Sequence, residues 1–182
     1  MENERSTAAR RRAQAVASAM RVFADQGLTT SAVQQIADEI GVSQPYVFRL
    51  FGSKQALFLA CLDELVERVC VVFRAAAAAS PADPLLAMGE GFRDLVSDGV
   101  VSGLWLQACA AARRDEVVAR RCRSALAEVL AQADTLTRAG SGELAGFLAD
   151  GSLVMLLQAL GMDLSGGTRA AVDSLRMERT SA

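Results

Sequence analysis

The stretch from Ser31 to Phe51, SAVQQIADEIGVSQPYVFRLF, constrains the fold of this chain more tightly than any other. Val33, Ile36, Ala37 and Ile40 recur at spacings of three, one and three, which places them on one face of a helix over residues 32–40. Gly41 ends that helix, because glycine takes the left-handed conformation at a helix carboxyl end without a Cβ clash. Val42 plugs the turn. Ser43 is a good N-cap for a second helix, and Pro45 falls in that helix's first turn, where its missing N–H costs nothing. Val47, Leu50 and Phe51 form the inward face, leaving Gln44, Pro45, Tyr46, Phe48 and Arg49 outward and crowded toward the amino-terminal half. Two short helices across one tight turn have the geometry of a helix-turn-helix, whose second helix lies in the DNA major groove with its first residues at base edges.

The neighbouring segments extend this pattern. Residues 1–6 are polar and are expected to be loose. A helix is predicted over 8–26, with Ala13, Val16, Ala17, Met20, Phe23 and Ala24 repeating at three and four and Gly27 as its stop. Arg10, Arg11 and Arg12 at its start oppose the helix dipole. They read either as solubilising charge or, given the helix-turn-helix that follows, as neighbours of a phosphate backbone. Ser31 and Gln34 form a capping-box pattern, and the same hydroxyl suits a phosphate contact. Ser53 caps a long helix predicted over 54–78, and Lys54 at its first position is read as a phosphate contact, since a docked anion would reverse its unfavourable place there.

Further helices are predicted over 85–96, 101–112, from 115 or 116 to 138, over 143–160 and over 168–179. The 143–160 segment is apolar on more than one face, with Leu144, Phe147, Leu148, Leu153, Val154, Met155, Leu156, Leu157 and Leu160. Burial on two sides then implies a subunit interface. No strand signal, nucleotide-binding glycine loop or internal repeat is present. With 52% apolar and 22% charged residues the chain is not disordered, and it lacks a run of eighteen apolar residues, so a cytoplasmic protein without a membrane partner is expected.

The sequence contains no histidine. The commonest general base and transition-metal ligand is therefore absent. The carboxylates are scattered along helix faces rather than paired, so no catalytic residue, no metal site and no cofactor is expected, and the chain is not read as an enzyme. Cys61, Cys70, Cys109 and Cys122 lie far apart without a C-x-x-C pair, as reduced and mostly buried thiols do; a redox sensor is the other reading. Residues 1–58 hold seven Lys/Arg against five Asp/Glu, whereas the rest holds twelve against sixteen, which reproduces the net charge of −2. That asymmetry suits an amino-terminal part facing a polyanion.

Over residues 10–65 the chain resembles the TetR family of transcriptional regulators. The first helix ending FADQGL, the run SAVQQIADEIGVSQPYVFRLFGSKQALF and the distance between them carry the resemblance, and GLWLQACAAARRD and GELAGFLADGSLVMLLQALGMD resemble helices of the family's regulatory domain. It implies an all-α fold in which an amino-terminal three-helix helix-turn-helix domain (1–54) is joined by a long helix to a ligand-binding and dimerisation domain (55–182). A homodimer reading a palindromic double-stranded DNA operator, most simply a repressor, is implied, with release by a small-molecule effector of unknown identity. Two half-sites about one helical turn apart, ~34–36 Å, can be read only while the recognition helices hold that spacing, so a small pivot of the 54–78 helix suffices to lose affinity.

By position, Ser31, Ser43, Gln44, Pro45, Tyr46, Phe48, Arg49 and Lys54 are the expected DNA-binding residues. Phe48 departs from the family, which usually has a tyrosine there whose hydroxyl reaches phosphate; this chain lacks that contact or moves it to Tyr46. Phe73, Met88, Phe92, Trp105, Cys109, Met155 and Gln158 are the candidates for an apolar effector pocket, with Arg93 and Gln107 as further polar candidates. The dimer interface is expected from helices 116–138 and 143–160, through Leu126, Leu130, Leu148, Leu153, Leu156, Leu157 and Leu160. The competing reading is a helical small-molecule or protein-binding module whose helix-turn-helix is only structural.

Overall fold

The computed structural model describes the backbone of residues 2–181 and the side chains of residues 8–177. Nine α-helices and no strand occur among the described residues: α1 (Glu2–Gln26), α2 (Thr30–Glu39), α3 (Gln44–Phe51), α4 (Lys54–Ala79), α5 (Pro84–Val96), α6 (Val100–Ala112), α7 (Glu116–Thr137), α8 (Ser141–Ala159) and α9 (Gly167–Ser181). The all-α fold expected from the periodicity is present. α1 is helical from Glu2, so the polar leader is helical from its second residue, and Met1 lies outside the described residues. No single helix among the described residues is long and apolar enough to cross a membrane.

The chain divides into two compact units, and the division is not the expected one at residue 54. The first unit comprises residues 1–67 and 103–126. Its centre is a T-shaped pair, Phe23 of α1 and Phe58 of α4, with ring centroids 5.4 Å apart. Met20, Ile36, Val47, Leu57, Leu62, Leu104 and Val118 are buried around it. Gly103 marks a close approach of α6 to α1: a Cβ at that position would lie 3.1 Å from the Cβ of Ala24 and 3.2 Å from its carbonyl oxygen, tight enough that α1 would have to give by a few tenths of an ångström to admit a side chain. Asp115, which precedes α7, accepts from the N–H groups of Val117 and Val118 and from Gln55 Nε2 at 2.5 Å, and Arg121 Nε donates to Asp63 at 2.6 Å. These bonds tie the start of α7 to α4.

A polar seam joins α1 to α2 at the edge of this core. The buried Ser18 hydroxyl donates to Glu39 at 2.6 Å, Gln35 Nε2 donates to the other carboxylate oxygen at 3.0 Å, and Arg21 pairs with Glu39 at 3.3 Å. These donors, the Ser18 hydroxyl first among them, hold the Glu39 carboxyl below its ordinary pKa.

The second unit comprises residues 68–102 and 127–182. Phe73 packs edge-on against both Phe92 of α5 and Phe147 of α8, at centroid distances of 6.3 and 5.3 Å. Met88, Val96, Val154 and Leu157 are buried with them. α8 begins at Ser141 rather than at residue 143, because Glu143 reaches back to accept from the Gly140 N–H at 2.9 Å and closes the first turn. Leu156 of α8, Leu160 at its carboxyl cap, and Val172 and Leu175 of α9 are exposed.

Two measurements test this packing. Phe58→Ala is expected to cost roughly 3–5 kcal/mol in denaturant unfolding, since it removes one ring of a fully buried pair. The Glu39 contribution is present above the ordinary glutamate pKa of about 4.3 and is lost as pH falls through the lower folded value. Wild type should therefore lose stability on acidification below about pH 4 more steeply than Glu39→Gln, and equal acid sensitivity would contradict the seam.

Candidate functional site

The local chemistry of α2 and α3 sets a compact outward face. The turn between them is a Schellman closure: Gly41 has φ +67°, its N–H donates to Asp38 O at 3.2 Å, and the Val42 N–H reaches Ala37 O at 3.0 Å. α2 starts two residues earlier than expected. Its N-cap is Thr29, whose hydroxyl accepts from the Ala32 N–H at 3.2 Å, so the Ser31–Gln34 capping box does not form. Ser31 is an exposed residue of the first helical turn with its hydroxyl 3.0 Å from that of Thr29, and Gln34 donates instead to Asp38. Ser43 is the N-cap of α3 by backbone conformation alone, with no side-chain bond, and Pro45 stands in the first turn.

Val47 and Phe51 are buried and Leu50 is half-buried, as the inward face requires. Pro45, Phe48 and Arg49 are exposed, and Gln44 and Tyr46 are half-buried. The Arg49 guanidinium lies over the Tyr46 ring, 4.6 Å from its centroid, so the two side chains are held as one plate on the outer surface of α3. Together they offer an amide, an apolar ring edge, an aromatic face and a cation within two helical turns. Lys54 sits half-buried at the start of α4, where its ammonium donates to Leu28 O at 2.6 Å. That carbonyl offsets the unfavourable place of the cation at a helix amino end, and two of its three N–H donors remain for another partner.

Arg11 and Arg12, read from the sequence as neighbours of phosphate, are engaged inside the domain: Arg11 donates to Ile40 O at 3.2 Å and Arg12 to Leu50 O at 2.7 Å. Neither partner was legible, because they lie 29 and 38 residues away. Among the described residues no group of three or more histidine, cysteine or acidic side chains is placed to hold a metal ion.

With that geometry in place, residues 15–61 match the family of bacterial regulatory proteins known as the tetR family. The amino-terminal helix-turn-helix region is therefore similar to the domain of that family. It is 39% identical over 59 residues to the HTH-type transcriptional activator FasR of Mycolicibacterium smegmatis, a match covering 32% of this chain and 27% of that protein. It is 32% identical over 81 residues to the HTH-type transcriptional regulator EthR of the same organism, covering 44% and 37%. The matched region thus spans well under half the length of either relative. A crystal structure from Mesorhizobium loti MAFF303099, described as a TetR-family transcriptional regulator, shares the fold at a TM-score of 0.58 and 17% identity, over 84% of this chain and 77% of that one.

The residues suggested for a TetR-type effector pocket are divided between the two units. Phe73, Met88, Phe92, Met155 and Gln158 lie in the second unit, with Phe147 as an aromatic partner missing from the expected set. Trp105 and Cys109 lie in the first unit. Met88 is completely buried core. Gln158 is committed to the Ser102 hydroxyl, and its amide nitrogen would stand 3.1 Å from a Cβ at Gly99, so it acts as a staple between α8 and the start of α6. Arg93 pairs loosely with Glu90, and Gln107 packs against Gly27, where a Cβ would come within 2.7 Å of its oxygen.

The expected dimer residues also need correction. Leu157 is 3% exposed within its own subunit and is core rather than interface. Leu126, Leu130, Leu148 and Leu153 are half-buried, and Leu156 and Leu160 are exposed. The α9 residues Val172 and Leu175 extend the exposed apolar set, although no sequence signal singled them out.

Cys61, Cys70 and Cys122 are buried and Cys109 is exposed. Partial desolvation by neighbouring side chains raises the thiol of Cys109, although the residue as a whole is exposed, and burial raises that of Cys122, where the nearness of Cys109 adds to the shift. Both stay protonated at neutral pH, which makes them poor nucleophiles. Alkylation of the native protein should modify Cys109 alone, at a rate that keeps rising above the usual thiol pKa of about 8.5, with the other three reacting after unfolding. Rapid modification of Cys109 near pH 7, followed by mass spectrometry, would contradict this.

Proposed function

We propose that the protein is a DNA-binding transcriptional regulator that reads a palindromic operator as a homodimer, acts as a repressor by occupying it, and is released by a small apolar molecule. The observation that carries this reading is the outer face of α3. Pro45, Tyr46, Phe48 and Arg49 stand off the face that carries the buried Val47 and Phe51, and Gln44 opens the helix half-buried at its amino end. The amide of Gln44 can donate and accept in one plane at an adenine edge, Pro45 suits a thymine methyl, and Arg49 suits a guanine edge or a phosphate. Phe48 cannot reproduce a hydroxyl contact to phosphate, so its exposed ring supplies an apolar contact instead. Ser31, Ser43 and Lys54 flank this face as backbone contacts, the last through the donors not engaged by Leu28 O.

For the dimer we favour the exposed Leu156 of α8, Leu160 at its carboxyl end, and Val172 and Leu175 of α9 over the expected pairing of α7 with α8. α8 and α9 pack against each other, which makes their exposed apolar side chains candidates for one association surface. For the effector, the Phe73, Phe92 and Phe147 cluster makes the second unit the aromatic-rich part of the regulatory region. Movement of α4, which belongs to both units along its length, would alter the spacing of the two recognition helices.

Fluorescence anisotropy against duplexes from the DNA flanking its own gene tests the reading, with specific, salt-sensitive binding to one fragment expected. Gln44→Ala should relax preference at one base position at a cost of ~1–3 kcal/mol, whereas Lys54→Ala should weaken all sequences alike and lower the salt slope by ~1. Equal loss of specificity in both variants would refute these roles, and no salt-sensitive specific binding would sink the proposal.

A further inference from the structure

Two consecutive arginines, Arg11 and Arg12, stand in the middle of α1, which begins at Glu2, so the dipole penalty expected of a helix start does not apply to them. What they touch explains them. The Nη1 of Arg11 donates to Ile40 O at 3.2 Å, and Ile40 is the C-cap of α2; the same nitrogen lies 3.3 Å from Gln14 Oε1. The Nη1 of Arg12 donates to Leu50 O at 2.7 Å, in the last turn of α3, while its guanidinium lies over the Phe51 ring, 4.2 Å from the centroid. The carboxyl end of a helix carries both unpaired carbonyls and the negative pole of the helix dipole, so a guanidinium answers both at once. One helix therefore closes the carboxyl ends of both helices of the helix-turn-helix with neighbouring residues.

We propose that Arg11 and Arg12 are positioning residues for sequence reading, which set the angle of α3 by gripping the ends of α2 and α3, and are not phosphate contacts. This rests on the reading of α3 as the recognition helix. α3 has eight residues, so it is about 12 Å long at ~1.5 Å per residue, and a tilt of about 5° from one end moves the other by on the order of 1 Å. Base-edge hydrogen bonds are lost over such a distance, whereas phosphate attraction is not. Loosening the grip therefore lowers discrimination between sequences and spares the electrostatic part of binding. Arg12 is the stronger determinant, because it holds α3 itself through both a carbonyl and a ring.

The experiment uses the full chain, a duplex selected from a random pool and a scrambled duplex of the same length, titrated at several salt concentrations. Arg12→Gln is expected to lower the ratio of selected to scrambled affinity roughly three- to tenfold, in line with an exposed cation–π contact plus a helix-end charge, and to leave the salt slope on the scrambled duplex unchanged. Arg12→Lys keeps the charge but lacks the planar fork, and should show the same selective loss. Arg11→Gln should show a smaller one. A salt slope lowered by ~1 with an unchanged ratio would make Arg12 a phosphate contact and overturn the proposal, as would full rescue by lysine. Circular dichroism checks folding at the assay temperature; if Arg12→Gln is unfolded there, Phe51→Leu, which removes the ring under the guanidinium but keeps the charge, must reproduce the selective loss, and unchanged discrimination in it overturns the proposal. A wild type without any preferred duplex would refute the reading of α3 itself and the positioning role with it; a discriminating wild type matched by Arg12→Gln refutes the positioning role alone.

Discussion

An eight-residue helix does not hold its own shape in water, because isolated helices shorter than ~12–15 residues are marginal. α3 has eight residues and α2 ten, so the conformation of the proposed reading surface is imposed from outside. Burial of Val47 and Phe51 supplies the apolar part of that restraint, and the Gly41 closure fixes the turn. The arginines of α1 close the carboxyl ends, and Pro45 is already set for the first turn. Because every restraint acts from the inner face or the ends, the outer face is left to carry residues chosen for contact rather than for stability.

The same logic explains what could be read directly from the residues. The turn at Gly41, the start of α3 at Ser43 and Pro45, and the Ser53 cap of α4, which accepts from the Ala56 N–H at 3.0 Å, depend on chemistry within four residues and were legible. The N-cap of α2 was misplaced because Thr29, Thr30 and Ser31 offer the same local chemistry, and the backbone path out of α1 selects among them. The partners of Arg11, Arg12 and Lys54 were not legible, since each is a carbonyl oxygen on a segment 26 or more residues away.

Long-range packing was equally hidden in the carboxyl-terminal part. The expected boundary at residue 54 follows the helix-turn-helix motif, yet α6 approaches α1 closely at Gly103, and Trp105 and Cys109 fall in the first unit. Periodicity marks α8 as buried on several sides without saying by what. Leu156 and Leu157 are neighbours on that helix, and only tertiary packing, which sets α8 against α5, separates a core leucine from an exposed one. The three-phenylalanine cluster needed residues from α4, α5 and α8, whose common side is not visible in any one of them.

The central claim is that α3 is a sequence-reading helix presented twice by a symmetric pair of chains. Selection of duplexes from a random pool by the full-length protein, followed by sequencing, tests it most directly. The account predicts enrichment of an inverted repeat whose half-sites are centred about one helical turn, ~34–36 Å, or a multiple of it apart. Recovery of no preferred sequence, or of a single unrepeated element, would contradict it.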